Sequence, residues 1–286
     1  VKPAPFEYFD PRDLDEALER LEGFGDEAKV LAGGQSLMPM LNLRLARPLA
    51  LVDINRLPAL GALTVENGTL RVGALVRQRT LERWASSHHP LLAACLRLVG
   101  HAAIRNRGTV AGSIAHADPA SELPALLLCL DGAVVARGRT EQREIPAADF
   151  FQGPLMTALR SAELVTETRW RLPMPGAGWG LHEVARRHGD FALAGAAAVL
   201  TVRAGRIVAG RISLFGVGPT ALRAHAAERV LTGEAPSPGL LREAASAAAA
   251  VLTPPADLHA SADYRRRVAR TLVERALIDA LARATS

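Results

Sequence analysis

Cysteine is scarce: Cys95 and Cys129 are the only two in 286 residues, and each lies in an apolar run. Two isolated thiols build no disulfide framework and cannot supply the four ligands of an iron–sulfur cluster, so both read as small buried hydrophobes in a reducing compartment. Lysine is as rare, with Lys2 and Lys29 alone, and the positive charge rests on Arg residues scattered among Asp and Glu. A pI of about 10 thus reflects a formal charge of only +5 with no basic stripe, which argues against nucleic acid as a partner. No apolar run approaches the roughly 20 residues of a membrane-spanning helix, and the acidic start Phe6-Glu7-Tyr8-Phe9-Asp10 does not read as a signal peptide; a cytoplasmic protein without a membrane span is expected.

Familiar catalytic signatures are missing as well. The chain holds no G-x-G-x-x-G, no G-x-x-x-x-G-K-[ST], no H-E-x-x-H and no G-x-S-x-G. Rossmann dinucleotide sites, P-loop NTPases, common zinc peptidases and α/β-hydrolases all lose support. No Ser/His/Asp set, carboxylate pair or metal cluster stands out, and His88-His89 before Pro90 reads as a solvated turn.

What remains are two segments of small residues, Ala32-Gly33-Gly34-Gln35-Ser36 and Thr109-Val110-Ala111-Gly112-Ser113, each read as following a β-like run. Glycine reaches positive φ without the roughly 1–2 kcal/mol that a Cβ costs, and successive N–H groups in such a turn converge on one anion. A bound pyrophosphate is the chemistry this pattern fits, with no lysine required. Alone, the first segment would be weak, since a strand ending in two glycines is more often a tight turn than a cofactor cradle.

The organisation is legible in outline. Asp13 caps a helix carrying Leu14, Leu18 and Leu21, stopped at Gly23 or Gly25; Lys29 to Ala32 and Ala50 to Ile54 read as strands, with a helix over Leu37 to Arg44 between them. Asn67-Gly68 turns a hairpin. Helices are expected over 79–85, 90–99 and, capped by Asp118 ahead of Pro119, 118–130; strands over 133–136 and 164–170. The Pro/Gly-rich stretch 172–178 marks a linker, beyond which 193–202 and 207–215 pair across Ala204-Gly205 and helix runs from Ala221 onward.

Four motifs in order, A-G-G-Q-S-L at 32–37, R-N-R-G-T at 105–109, G-S-I-A-H-A-D-P-A-S-E at 112–122 and R-R-H-G-D-F-A-L at 186–193, give the chain a resemblance over almost its whole length. It resembles the FAD-binding medium subunits of molybdenum hydroxylases, the family of xanthine dehydrogenase, aerobic carbon monoxide dehydrogenase and N-heterocycle hydroxylases. That resemblance implies an α+β fold: a two-lobed FAD-binding domain of the vanillyl-alcohol-oxidase (PCMH) type, with lobes at 1–57 and 58–175, and a small C-terminal domain of antiparallel sheet and helices at 176–286. It implies noncovalent FAD whose pyrophosphate is wrapped by Val30, Leu31, Ala32, Gly33, Gly34, Gln35, Ser36 and Leu37 and by Thr109, Val110, Ala111, Gly112 and Ser113, the Ser36, Thr109 and Ser113 hydroxyls adding donors. Asp118 and Glu122 fall where relatives place polar groups around ribityl or ribose hydroxyls, although Asp118 also fits a helix cap and Glu122 a helix-surface acid. Val165 would line the isoalloxazine edge, His182 would lie near the ring, and Phe191 would close over a face, with ordinary core as its alternative.

Two positions depart from the pattern. Ala111 stands where many relatives have glycine, and a normal negative φ is expected there; Gln35 stands where some have His. By the resemblance, molybdopterin belongs to a large partner subunit and two [2Fe-2S] clusters to a small one, this chain passing their electrons to an external acceptor, in a dimer of heterotrimers. Arg105-Asn106-Arg107 is the segment read as facing a partner. A stand-alone flavin oxidase or dehydrogenase on the same fold is the alternative, with His182 or His188 as its only candidate bases, and a non-enzymatic nucleic-acid or anion-binding module, drawing on the high pI, is the reading outside enzymes.

Overall fold

The computed structural model describes residues 2–284. The first lobe comprises β1 (Glu7–Phe9), α1 (Leu14–Phe24), β2 (Ala28–Leu31), α2 (Leu37–Asn42) and β3 (Ala50–Asp53). Its strands form a parallel sheet in the order β1-β3-β2. Ala50, Leu51 and Val52 are all buried, as an unbroken apolar run must be in a central strand covered on both faces. Helix α1 starts where the Asp13 carboxylate accepts from the Glu16 N–H at 2.8 Å, buries Ala17, Leu18 and Leu21, and stops at Gly25 with φ 53°.

The second lobe opens on the hairpin β4 (Leu63–Glu66) and β5 (Thr69–Gly73), whose turn residues Asn67 and Gly68 both take positive φ. Five helices follow: α3 (Gln78–His88), α4 (Pro90–Leu98), α5 (Ala102–Arg107), α6 (Val110–His116) and α7 (Glu122–Cys129). Then come β6 (Ala133–Arg137), β7 (Gln142–Pro146), α8 (Ala147–Phe150), a small pair of β8 (Phe151–Gly153) with β9 (Met156–Thr157), and β10 (Leu164–Arg171). The antiparallel sheet runs β4-β5-β10-β6-β7. Trp170 is fully buried at its centre and gives its indole N–H to Thr168 Oγ1 at 2.9 Å.

The last third is an antiparallel sheet, β11 (Gly178–Ala185), β12 (Ala192–Arg203), β13 (Arg206–Phe215) and β14 (Leu222–Arg223), with α9 (His225–Leu231), α10 (Pro238–Ala250) and α11 (Ala262–Arg283). Alternation along β12 sorts its two faces. Ala194, Ala196, Ala198 and Leu200 share a core with the helices, whereas Ala197 and Val199, with Phe215 of β13, join the core of the preceding lobes. Gly178 and Gly180 lie so close under Ala280 and Ala276 of α11 that no Cβ fits between them.

Several expectations need correction. The segment before Thr109 is the helix α5, not a β-like run, and Val110 to Ser113 lies inside α6 with Thr109 as its N-cap. The helix expected from Asp118 begins at Glu122; the Asp118 side chain instead accepts from the Ala120 N–H at 2.8 Å and folds its own turn, the competing use of a short carboxylate. A strand, β14, precedes the helices at the C-terminal end. His89 is buried, its Nδ1 accepting from the Leu92 N–H at 3.1 Å as the cap of α4; only His88 is exposed, stacked on Trp84.

Candidate functional site

Strand β2 ends at Leu31, and the chain turns through Ala32, Gly33, Gly34, Gln35 and Ser36 into α2. The two glycines serve different ends. Gly34 has φ 71°, the left-handed conformation that favours glycine, whereas Gly33 is a matter of space. A Cβ on Gly33 would lie 2.6 Å from the Arg107 carbonyl oxygen, 2.7 Å from Gly108 Cα and 3.0 Å from the Thr109 nitrogen. The first glycine turn is therefore packed, backbone on backbone, against the start of the second segment.

Side chains fasten this approach. Asn55 Nδ2 donates to Ala32 O at 2.8 Å and to Asp53 Oδ1 at 2.6 Å, while its Oδ1 accepts from Arg77 at 2.6 Å. Arg77 also donates to the Arg107 carbonyl at 2.5 Å, and Tyr8 Oη donates to Asp53 Oδ2 at 2.7 Å. Burial and the charge of Arg107 both hold the Arg77 guanidinium below its ordinary pKa. The bridge thus joins both lobes, and its Asp53 and Asn55 line the cavity beside the turn.

In front of the turn is a cavity of about 530 Å³, lined among others by Gly33, Gly34, Gln35, Met38, Ile104 and Arg107. Among the described residues, the backbone N–H groups of Gly33, Gly34, Gln35 and Ser36 make no hydrogen bond, nor do those of Thr109 and Ala111. The Ser36 hydroxyl caps nothing. Gly112 is not bare: its N–H goes to Thr109 Oγ1 at 3.0 Å, and the Val110 and Ser113 N–H groups go to Val76 O and Thr109 O. Ala111 is helical, with negative φ, and buried. Sequence reading missed Arg107 as a cavity-lining cation; the Gly33 contact that brings it there is invisible along the chain. Arg105, read as facing a partner, is buried, with its Nε 2.9 Å from Glu82 Oε2 and its NH1 donating to the Val99 and Gly100 carbonyls.

The other candidates are dispersed. Val30 and Leu31 lie on β2, Leu37 opens α2, and Val165 is buried on β10. Asp118 is half-buried in its turn and Glu122 is buried at the start of α7, where desolvation pushes its carboxyl up to about 7. His182 shares the β11 face of Gly178 and Gly180 and meets Asp279 of α11 at 3.2 Å, on the side of the sheet turned from the first two lobes. Phe191, with ordinary core as its alternative reading, is 66% exposed at the β11–β12 hairpin.

A first lobe on a parallel sheet, a second on an antiparallel sheet and a cradle of bare amides between them define a cofactor-binding flavoprotein domain. The family model "FAD binding domain in molybdopterin dehydrogenase" matches residues 4–174, and "CO dehydrogenase flavoprotein C-terminal domain" matches 179–280. The chain belongs to the FAD-binding medium subunits of the molybdenum hydroxylases, which are oxidoreductases. It is 40% identical to the 6-hydroxypseudooxynicotine dehydrogenase complex subunit alpha of Paenarthrobacter nicotinovorans, over 99% of this chain and 97% of that one. Among solved structures it superposes on a chain of carbon monoxide dehydrogenase from Hydrogenophaga pseudoflava with a TM-score of 0.97 and 40% identity, covering 100% of both chains. A chain of quinoline 2-oxidoreductase from Pseudomonas putida 86 matches with a TM-score of 0.92 and 35% identity over 98% of each. The glycine-enforced contact at Gly33 and the bare amides beside it fit a dinucleotide cofactor.

Proposed function

We propose that this chain is the electron-transfer subunit of a multisubunit molybdenum hydroxylase, taking electrons from the [2Fe-2S] clusters of a small partner subunit and passing them to an external acceptor. Substrate hydroxylation belongs to a large subunit carrying molybdopterin, and the assembly is a dimer of heterotrimers. The observation that carries the cofactor half of this reading is the run of unbonded N–H groups at Gly33 to Ser36 beside those of Thr109 and Ala111. Bound noncovalently, FAD supplies the two-electron and one-electron chemistry; the protein supplies binding, orientation and electrostatics.

In this reading the amides of Gly33 to Ser36, Thr109 and Ala111 hold the pyrophosphate, within the wider wrap of Val30 to Leu37 and Thr109 to Ser113, and Arg107 adds a positive charge at the same cavity. The Asp118 turn and Glu122 meet hydroxyls of the nucleotide, Val165 borders the ring, and the exposed Phe191 folds over a flavin face. His182 is left to its α11 partner. Lobes at 1–57 and 58–175 enclose the cofactor, and 176–286 forms a separate domain. The relatives named above carry three different substrates in their names, which fits a substrate pocket on another chain.

Purification of the native assembly tests this. One FAD per copy of this chain, with iron and molybdenum on copurifying chains, supports it. Substrate-driven bleaching of the flavin in the isolated chain, with no metal-bearing partner, would overturn it in favour of a stand-alone flavoenzyme.

A further inference from the structure

Arg265 lies in the first turn of α11 and is 4% exposed. Its guanidinium is permanently charged, and its one ionic partner among the described residues is the exposed Asp257, whose Oδ2 accepts from NH2 at 2.6 Å. Its Nε has no partner. A cation buried on these terms is a poor stabiliser, since an apolar side chain of similar volume packs without the desolvation cost. What arginine contributes is a planar fork of fixed donors: NH1 donates to the Leu193 carbonyl at 2.6 Å and to the Gly216 carbonyl at 3.1 Å.

Each carbonyl leads to the candidate site by its own route. Leu193 is the second residue of β12, at one foot of the β11–β12 hairpin that carries Phe191. The other foot is held by the same stretch of chain: Arg186 NH1 lies 3.0 Å from His259 Nδ1, and the Asp257 carboxylate that meets Arg265 also accepts from the His259 and Ala260 N–H groups at 2.8 and 2.9 Å. The hairpin tip rests on the second lobe, where a Cβ on Gly189 would lie 2.7 Å from the His101 ring, three residues before Ile104 of the cavity. Gly216 is wedged in turn against β12, a Cβ there falling 2.8 Å from Ala192 O, and it gives its N–H to the Pro119 carbonyl at 2.8 Å. Pro119 belongs to the Asp118 turn, which follows α6, the helix whose opposite end carries the bare amides of Thr109 and Ala111. One guanidinium thus couples the hairpin to the turn.

We propose that Arg265 is a positioning residue for the flavin end of the cofactor: acting through the backbone, it fixes Leu193 and Gly216 to one rigid fork and so sets the Phe191 hairpin and the Asp118 turn in the arrangement that receives the isoalloxazine and ribityl groups. This rests on the reading of Phe191 and the Asp118 turn as flavin contacts. The pyrophosphate cradle is fastened separately, by the Asn55–Arg77 bridge of the first two lobes. Loss of the fork therefore loosens the ring end of the site and spares the diphosphate end. Lysine at 265 keeps the charge on a single nitrogen and does not reproduce the spread of NH1 and NH2 over two carbonyls and a carboxylate.

Calorimetric titration of the full flavin-free chain with FAD and with ADP tests this in wild type, Arg265→Lys and Arg266→Lys. Arg266, next along α11 and bonded to Asp263 and the Leu252 carbonyl, reports any general loosening of the helix. Arg265→Lys should weaken FAD about tenfold or more, leave ADP within about twofold and alter the visible circular dichroism of the bound flavin, while Arg266→Lys does none of these. Parallel losses for FAD and ADP, an unchanged FAD affinity and flavin spectrum, or an equal effect from Arg266→Lys would overturn the proposal. Should Arg265→Lys fail to fold, Asp257→Asn decides, since it keeps an oxygen for the His259 and Ala260 N–H groups and turns an amide toward the guanidinium. FAD binding about threefold weaker with ADP unmoved supports the proposal, and unchanged FAD binding overturns it. A wild-type chain that takes up no FAD sinks the cofactor reading itself, whereas wild-type uptake that the variants leave unmoved sinks this proposal alone.

Discussion

Gly33→Ala isolates the contact on which the cradle depends. The added Cβ would meet Arg107 O at 2.6 Å, Gly108 Cα at 2.7 Å and Thr109 N at 3.0 Å, all backbone atoms, so no side chain can swing aside. The two segments must part by several tenths of an ångström, and overpacking of this kind costs about 1–3 kcal/mol. In the free protein the turn relieves that strain by moving apart, but a pyrophosphate gripped from both sides requires it to close again. Charged to binding, the same energy weakens FAD affinity by roughly 5- to 150-fold. Flavin fluorescence titration measures this, with circular dichroism to confirm folding. Gly61→Ala is the matched control, since Gly61 has open space around its Cβ position and no positive φ. Wild-type FAD affinity in a folded Gly33→Ala protein would refute the reasoning, because it would show that the contact of the two segments does not shape the site.

Other outcomes follow from the same structure. Arg105→Ala leaves the Glu82 carboxylate with only its more exposed partner Arg79, and should destabilise the chain by about 3–5 kcal/mol in denaturant unfolding; a change below about 1 kcal/mol would mean the pair is not buried in solution. Arg107→Ala should weaken FAD binding about tenfold, with less salt dependence than wild type, and an unchanged isotherm would remove Arg107 from the site. Glu122 has a folded pKa raised from 4.5 to about 7, so wild-type stability is undiminished by it below pH 4.5 and falls by about 1.4 kcal/mol per pH unit between there and pH 7. Glu122→Gln does not titrate, and its stability relative to wild type should therefore climb across that window by about 3 kcal/mol; parallel stability curves for the two proteins would contradict the burial argument. Phe191→Ala, at an exposed position, should change stability by less than about 0.5 kcal/mol, and a shift in the flavin spectrum is expected only in the loaded protein.

Much of the fold is written in local chemistry. Asp13 and Gly25 bracket α1, Asn67-Gly68 turns its hairpin, and the apolar period along Ala192–Arg203 reveals a strand, because each depends on neighbours in sequence. The α5–α6 region was misread for the opposite reason. Thr109, Val110, Gly112 and Ser113 have weak intrinsic helix preference, and helix resumes there because Thr109 caps the turn while Arg105 is anchored on Glu82. Asp118 had two uses open to it, cap or turn, and nothing short of the three-dimensional packing chooses. At the site, the glycine motif announced an anion cradle, yet the purpose of Gly33 is clearance from Arg107 to Thr109, residues far along the chain.

The central claim is that bare main-chain amides of two segments grip a diphosphate. Isotherms for ADP and for adenosine on the flavin-free chain test it most directly, since the two ligands differ in the diphosphate alone. The amides of Gly33 to Ser36, Thr109 and Ala111 predict that ADP binds at least about 100-fold tighter. Equal affinities would contradict the account.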